Sequence, residues 1–108
     1  MESKELTLGM SDLADILEAL REHEFLLTKW ELLGIQLGVH FNKLKVIEAE
    51  HRDMEQCLCE MLTVWLRLDY DYKDKGRPSW QGLINALRCI KQINTAEKIA
   101  KEKCLNYE

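Results

Sequence analysis

The stretch Trp30-Glu31-Leu32-Leu33-Gly34-Ile35-Gln36-Leu37-Gly38 restricts the fold more than any other part of this chain. At about 100° per residue, Trp30, Leu33, Gly34 and Leu37 share one side of a helix, and Leu26 extends that stripe backwards. An indole beside a glycine makes a stepped packing surface: the ring fills space while the glycine admits a neighbouring helix. Gly38 stands where a left-handed residue would end the helix. Leu32 and Ile35 point the other way, where a water-facing helix would normally carry charge. Two outcomes are open for this pair: packing under the N-terminal segment or the third helix, or burial against another molecule.

Helical periodicity recurs on both sides of this stretch. Residues 1–10 show no period and read as a lead-in. Ser11 is the expected N-cap of a first helix ending near His23, with Asp12 and Asp15 in its first turn, where the helix dipole favours anions. Leu13, Ile16, Leu17 and Leu20 form its inner stripe, and Asp15, Glu18 and Glu22 its outer face. A third helix is expected over 42–50, with Leu44 and Ile47 inward, Phe41 packed at its entrance and Lys43 outside. Asp53 to Gln56 has capping-box spacing and opens the longest helix, reaching about Tyr70. Met54, Leu58, Met61, Leu62, Trp65 and Leu68 cover its inner face; Gln56, Glu60, Thr63 and Arg67 lie opposite. A polar loop over 71–78 follows. Ser79 caps a fifth helix with Trp80, Leu83, Ile84, Leu87 and Ile90 inward. Asn94 to Glu97 offers another capping box, starting a sixth helix with Ala96, Ile99 and Ala100 inside and Lys98 and Lys101 outside. Residues 104–108 form a tail.

One domain of 108 residues is large enough for a core of its own, and five glycines and one proline leave little material for turns between many strands. The expected class is all-α. A net charge of −4 disfavours a nucleic-acid ligand, whose binding needs a basic face, and equally an anionic membrane surface. The charge is unevenly placed. From Glu2 to Glu24 seven acids face only Lys4 and Arg21, whereas from Lys73 to Lys103 eight bases face Asp74, Glu97 and Glu102. A molecule with an acidic start and a basic end attracts copies of itself head to tail. No apolar run approaches the roughly 20 residues that span a bilayer, and no signal peptide is recognisable. Cys57 and Cys59 diverge by about 200° on a helix and cannot share a metal. With Cys89 and Cys104 they read as reduced thiols of a cytoplasmic chain, either free-standing or the intracellular part of a larger protein. His23, His40 and His51 sit in no catalytic motif, and there is no phosphate loop, so neither enzyme activity nor a cofactor is expected. His51 and Glu55 are four apart, but a helix boundary at Asp53 would break their register as a metal pair. The alternative among small helical domains is a DNA reader using Lys98 to Lys103 as its recognition segment.

Taken together, Trp30-Glu-Leu-Leu33-Gly34-Ile-Gln-Leu37-Gly38, Leu44 and Ile47, Cys57-x3-Met61-Leu62-x2-Trp65-Leu66, Trp80-x2-Leu83-x2-Ala86-Leu87 and Ala96-x2-Ile99-Ala100 resemble the death domain family of the death-fold superfamily. The resemblance runs from about Leu13 to Lys101, within a domain bounded at 11–103. Death effector and caspase-recruitment domains share the architecture but match the tryptophan pattern less well. The resemblance implies an antiparallel six-helix bundle of Greek-key topology, without a catalytic centre. It also implies binding to other death domains, or to copies of itself, in apoptotic or innate-immune signalling. Such domains pair through asymmetric surfaces. The first and fourth helices, here Asp15, Glu18, Glu22, Glu60 and Arg67, would meet the second and third of another copy. The loop after the fourth helix, with Lys73, Asp74, Lys75 and Arg77, would meet the start of the sixth, with Glu97, Lys98 and Lys101. Lys43 on the third helix completes the set. Leu32 and Ile35 depart from the family, which places polar residues there, and imply a partly apolar contact. A docking module inside a larger receptor, without self-assembly, would use the same surfaces.

Overall fold

A computed structural model describes residues 7–103, and within them there are helices and no strands. The helices are α1 (Leu13–Glu22), α2 (Trp30–Leu37), α3 (Phe41–Glu50), α4 (Met54–Leu66), α5 (Tyr72–Lys75), α6 (Trp80–Cys89) and α7 (Ile93–Glu102). Six are the expected helices. The seventh, α5, is a single turn inside the segment expected to be loop, closed by Lys75 N–H to Asp71 O and Gly76 N–H to Tyr72 O. Tyr70 is buried beside it and its hydroxyl donates to Gly76 O at 2.7 Å, so a polar segment acquires a fixed shape. Burial pushes the Tyr70 phenol above its usual range, which keeps it a donor.

The core follows the apolar stripes. Ile16 and Leu20 of α1, Leu33 of α2, Leu44 of α3, Met61 and Leu62 of α4, Leu83, Ile84 and Leu87 of α6 and Ile99 of α7 are essentially inaccessible. α2 packs on α4 and α6, α1 on α4 and α7, α3 on α2 and α4, and α6 on α7. Gly34 explains how α2 comes so close: a Cβ there would lie 2.7 Å from Leu44 Cδ2 and 3.0 Å from Met61 Cγ. Trp30 and Trp65 are buried, but Trp80 is only half-buried, with the Lys103 ammonium 4.4 Å from the centre of its ring.

Four helices end in the same hydrogen-bonded motif. After α1, α2, α4 and α6, the residues Glu24 (φ 63°), Gly38 (φ 102°), Leu68 (φ 63°) and Lys91 (φ 68°) take the left-handed conformation. In each, the following N–H reaches back to close the turn: Phe25 to Leu20 O, Val39 to Gly34 O, Asp69 to Val64 O and Gln92 to Leu87 O. Only Gly38 announces this in sequence. With Leu68 in that conformation α4 ends at Leu66, four residues short of the expected Tyr70. Replacing Glu24 by glycine should remove left-handed strain from an exposed position and add about 0.5–1 kcal/mol of stability. Urea unfolding measures this directly; a lower midpoint would show that Glu24 stabilises the turn through its side chain.

Several local expectations need correction. Ser11 does not cap α1; a 3-10 turn over Met10–Asp12 precedes it, and the Asp12 carboxylate accepts from Gly9 N–H. Leu26 is 50% exposed, because a second 3-10 turn over Leu27–Lys29 takes it off the α2 stripe. Phe41 and Met54, each the first residue of its helix, are also exposed. Asp53 does cap α4, accepting from Glu55 N–H, whereas α7 starts at Ile93 without a side-chain cap. There Thr95 donates to His23 O at 2.9 Å, and the Gln92 side chain accepts from Leu26 N–H at 3.2 Å, tying α7 to the end of α1.

Candidate interaction surfaces

The acidic residues of α1 stand where the periodicity puts them. Asp15, Glu18 and Glu22 are exposed, and none of them forms an ion pair among the described residues. Glu18 and Glu22 edge an open groove with Ala14, Leu17 and Arg21, so the acidic face has a partly apolar floor. Arg21, on the same groove, forms a hydrogen-bonded ion pair with Glu55, which raises its affinity for its proton, and Glu18 adds to that. That bridge edges a smaller pocket of about 120 Å³ lined by Leu17, Leu20, Phe25, Leu27 and Leu58. Glu60 is half-buried on α4 and Arg67 is exposed at its end.

Leu32 and Ile35 are 47% and 41% exposed. Among the described residues nothing buries them: neither the segment from Thr7 onwards nor α3 covers them. On α3, Phe41 and Val46 are at least about half exposed, apolar exposure that the inner stripe of Leu44 and Ile47 gave no reason to expect. The signal was present in the sequence, as large apolar residues off the buried face of a short helix. Charges are interleaved with them. Lys45 bridges Glu31 of α2 at 3.2 Å and Glu48 at 3.0 Å, and Lys43 reaches Asp69 at 3.0 Å. Lys43 is thus partly engaged within the molecule and offers less free charge than expected.

The basic side is assembled from two segments. Lys73, Asp74, Lys75 and Arg77 are exposed on and after α5, where the Arg77 guanidinium lies 5.0 Å from the Tyr72 ring centre. Glu97, Lys98 and Lys101 are exposed on α7, with Glu97 3.9 Å from Arg88. Lys73, Lys75, Lys98 and Lys101 form no ion pair among the described residues.

The death domain family model matches residues 12–103, nearly the whole length of the helical bundle. The chain belongs to the death domain family. No curated protein and no solved structure matches it in the corresponding comparisons. Members of this family are non-enzymatic protein–protein interaction modules, which accords with a surface whose distinctive features are charge and apolar exposure. No helix among the described residues of this death domain is long and apolar enough to cross a membrane. Cys57, Cys59 and Cys89 are free thiols, the first two pushed up in pKa by burial and so held in the unreactive protonated form; Cys104 lies outside the described residues.

Proposed function

We propose that this death domain is a cytoplasmic signalling module of apoptosis or innate immunity that binds other death domains and assembles with copies of itself through unlike surfaces. The observation that carries this is the exposure of Leu32 and Ile35 on the back of a helix whose front is core. A patch of that kind on a charged surface is suited to burial by a partner. The α1 groove supplies a matching chemistry, with Ala14 and Leu17 as floor and Glu18 and Glu22 as rim. One copy's apolar patch seated there would bring Lys43 and Lys45 towards another copy's acids. Unlike surfaces on one molecule make a heterologous contact, which propagates instead of closing as a two-fold dimer does. The basic residues around α5 and on α7 add a second, charge-on-charge pairing, following the family's use of those elements, too weak to hold copies together without the apolar contact.

Light scattering over rising protein concentration, at low and high salt, tests this. Average mass should rise with concentration from the monomer value of 12.7 kDa. Salt should weaken association only in part, because rim ion pairs contribute about 0–1 kcal/mol each and the apolar contact is not screened. A strictly monomeric protein at high concentration and low salt, with no death-domain partner recovered from cells, would overturn the proposal.

A further inference from the structure

The junction of α1 and α7 carries a group of side chains of which partner binding accounts for Glu22 alone, leaving His23 and Glu102 unexplained. His23 follows the last residue of α1, and its backbone is fixed on both sides: its N–H donates to Ala19 O at 3.1 Å and its carbonyl accepts from Thr95 at 2.9 Å. The imidazole is thereby held at 19% exposure, with Nε2 2.8 Å from a Glu102 carboxylate oxygen. Glu22 comes to the same point. One ligand atom from each of Glu22, His23 and Glu102 lies within 4.8 Å of the other two. Asp15 and Glu18 line the adjoining depression and add to its negative potential. The cation that also lines it, Lys103, places its ammonium over the Trp80 ring and forms no ion pair with these acids. Converging carboxylates repel one another, so an aromatic nitrogen held between two of them, with no paired ammonium, is a donor set suited to a divalent cation.

We propose that Glu22, His23 and Glu102 bind a zinc-class divalent cation that joins the end of α1 to the end of α7. Donors about 2.0–2.2 Å from a tetrahedral ion are roughly 3.4 Å apart, a spacing the two exposed glutamates reach by side-chain rotation. One nitrogen and two carboxylate oxygens, with water completing the shell, favour zinc, cobalt or nickel over magnesium and calcium, which prefer all-oxygen sites. The site lies within a single copy and does not depend on self-assembly.

The test is calorimetric titration of the full chain with zinc alone, followed by thermal melts and by the visible spectrum of the cobalt complex. Binding of one equivalent should raise the melting temperature by mass action. The cobalt spectrum should show ligand-field bands without a thiolate charge-transfer band. Glu22→Gln, His23→Gln and Glu102→Gln should each weaken binding by on the order of tenfold or more. Glu22 forms no ion pair among the described residues, and the amide introduced by Glu102→Gln still offers an oxygen to His23. Metal-free melts of these two variants should therefore be nearly unchanged, separating ligand loss from unfolding. Zinc affinity equal in all three variants, a thiolate band from the cysteines, or zinc binding no tighter than magnesium would each overturn the site.

Discussion

Gly34→Val is expected to lower stability by about 2–3 kcal/mol, a fall of roughly 10–20 °C in melting temperature for a domain of this size. A Cβ alone would meet Leu44 Cδ2 at 2.7 Å and Met61 Cγ at 3.0 Å, and both side chains are wholly buried, so neither can swing into solvent. The two further methyls of valine must displace the seam between α2, α3 and α4. Alanine is the informative control. Its gain of about 1 kcal/mol in helix propensity offsets much of the crowding, so Gly34→Ala should lie far closer to the parent. Chemical unfolding measures both. A valine variant as stable as the parent would mean that the three helices do not pack at the separation described.

The Leu32→Glu, Ile35→Glu double variant should instead leave the fold standing and remove association. Each side chain keeps roughly half of its surface in water, so the change should cost no more than about 1 kcal/mol per site. Two carboxylates placed in the centre of the contact and facing the acidic rim of α1 should weaken self-association by on the order of a hundredfold. Sedimentation velocity on the parent and the variant, beside their thermal melts, gives both quantities. Unchanged association in a folded variant would assign the exposed patch no part in assembly.

The sequence carried the fold well because it is built from stripes. Leu13 to Leu20, Trp30 to Leu37, Leu58 to Trp65, Leu83 to Leu87 and Ala96 to Ala100 are helical repeats, and the residues placed inward there are buried or packed against the core. The boundaries were less legible, for a physical reason. A left-handed stop at Gly38 is visible because only glycine takes it without strain, whereas the same stop at Glu24, Leu68 and Lys91 is imposed by the packing that follows. The short α5 turn was hidden similarly: its geometry depends on the Tyr70 hydroxyl reaching Gly76 O, a contact composition does not encode.

Of the surface residues, periodicity correctly set Asp15, Glu18, Glu22, Lys98 and Lys101 outside, since a charge opposite a buried stripe has nowhere else to go. Local spacing could not foresee Lys43 reaching Asp69, Lys45 bridging α2 to α3, or Arg21 pairing with Glu55. Those partners are distant in sequence and meet only once the bundle is formed. The meeting of His23 with Glu102 is of the same kind, joining residues from opposite ends of the domain.

The claim that one death domain seats its α2 patch in the α1 groove of the next is tested most directly by mixing two broken copies. One carries Ala14→Glu, on the exposed floor of the groove, and keeps its apolar patch; the other carries Leu32→Glu and Ile35→Glu and keeps its groove. Alone, each should sediment as a monomer of about 12.7 kDa at concentrations where the parent assembles. Mixed in equal amounts, they should form a one-to-one pair of about twice that mass and grow no further, because each contributes one intact surface. A mixture that stays monomeric, or a single variant that still assembles by itself, would contradict this pairing.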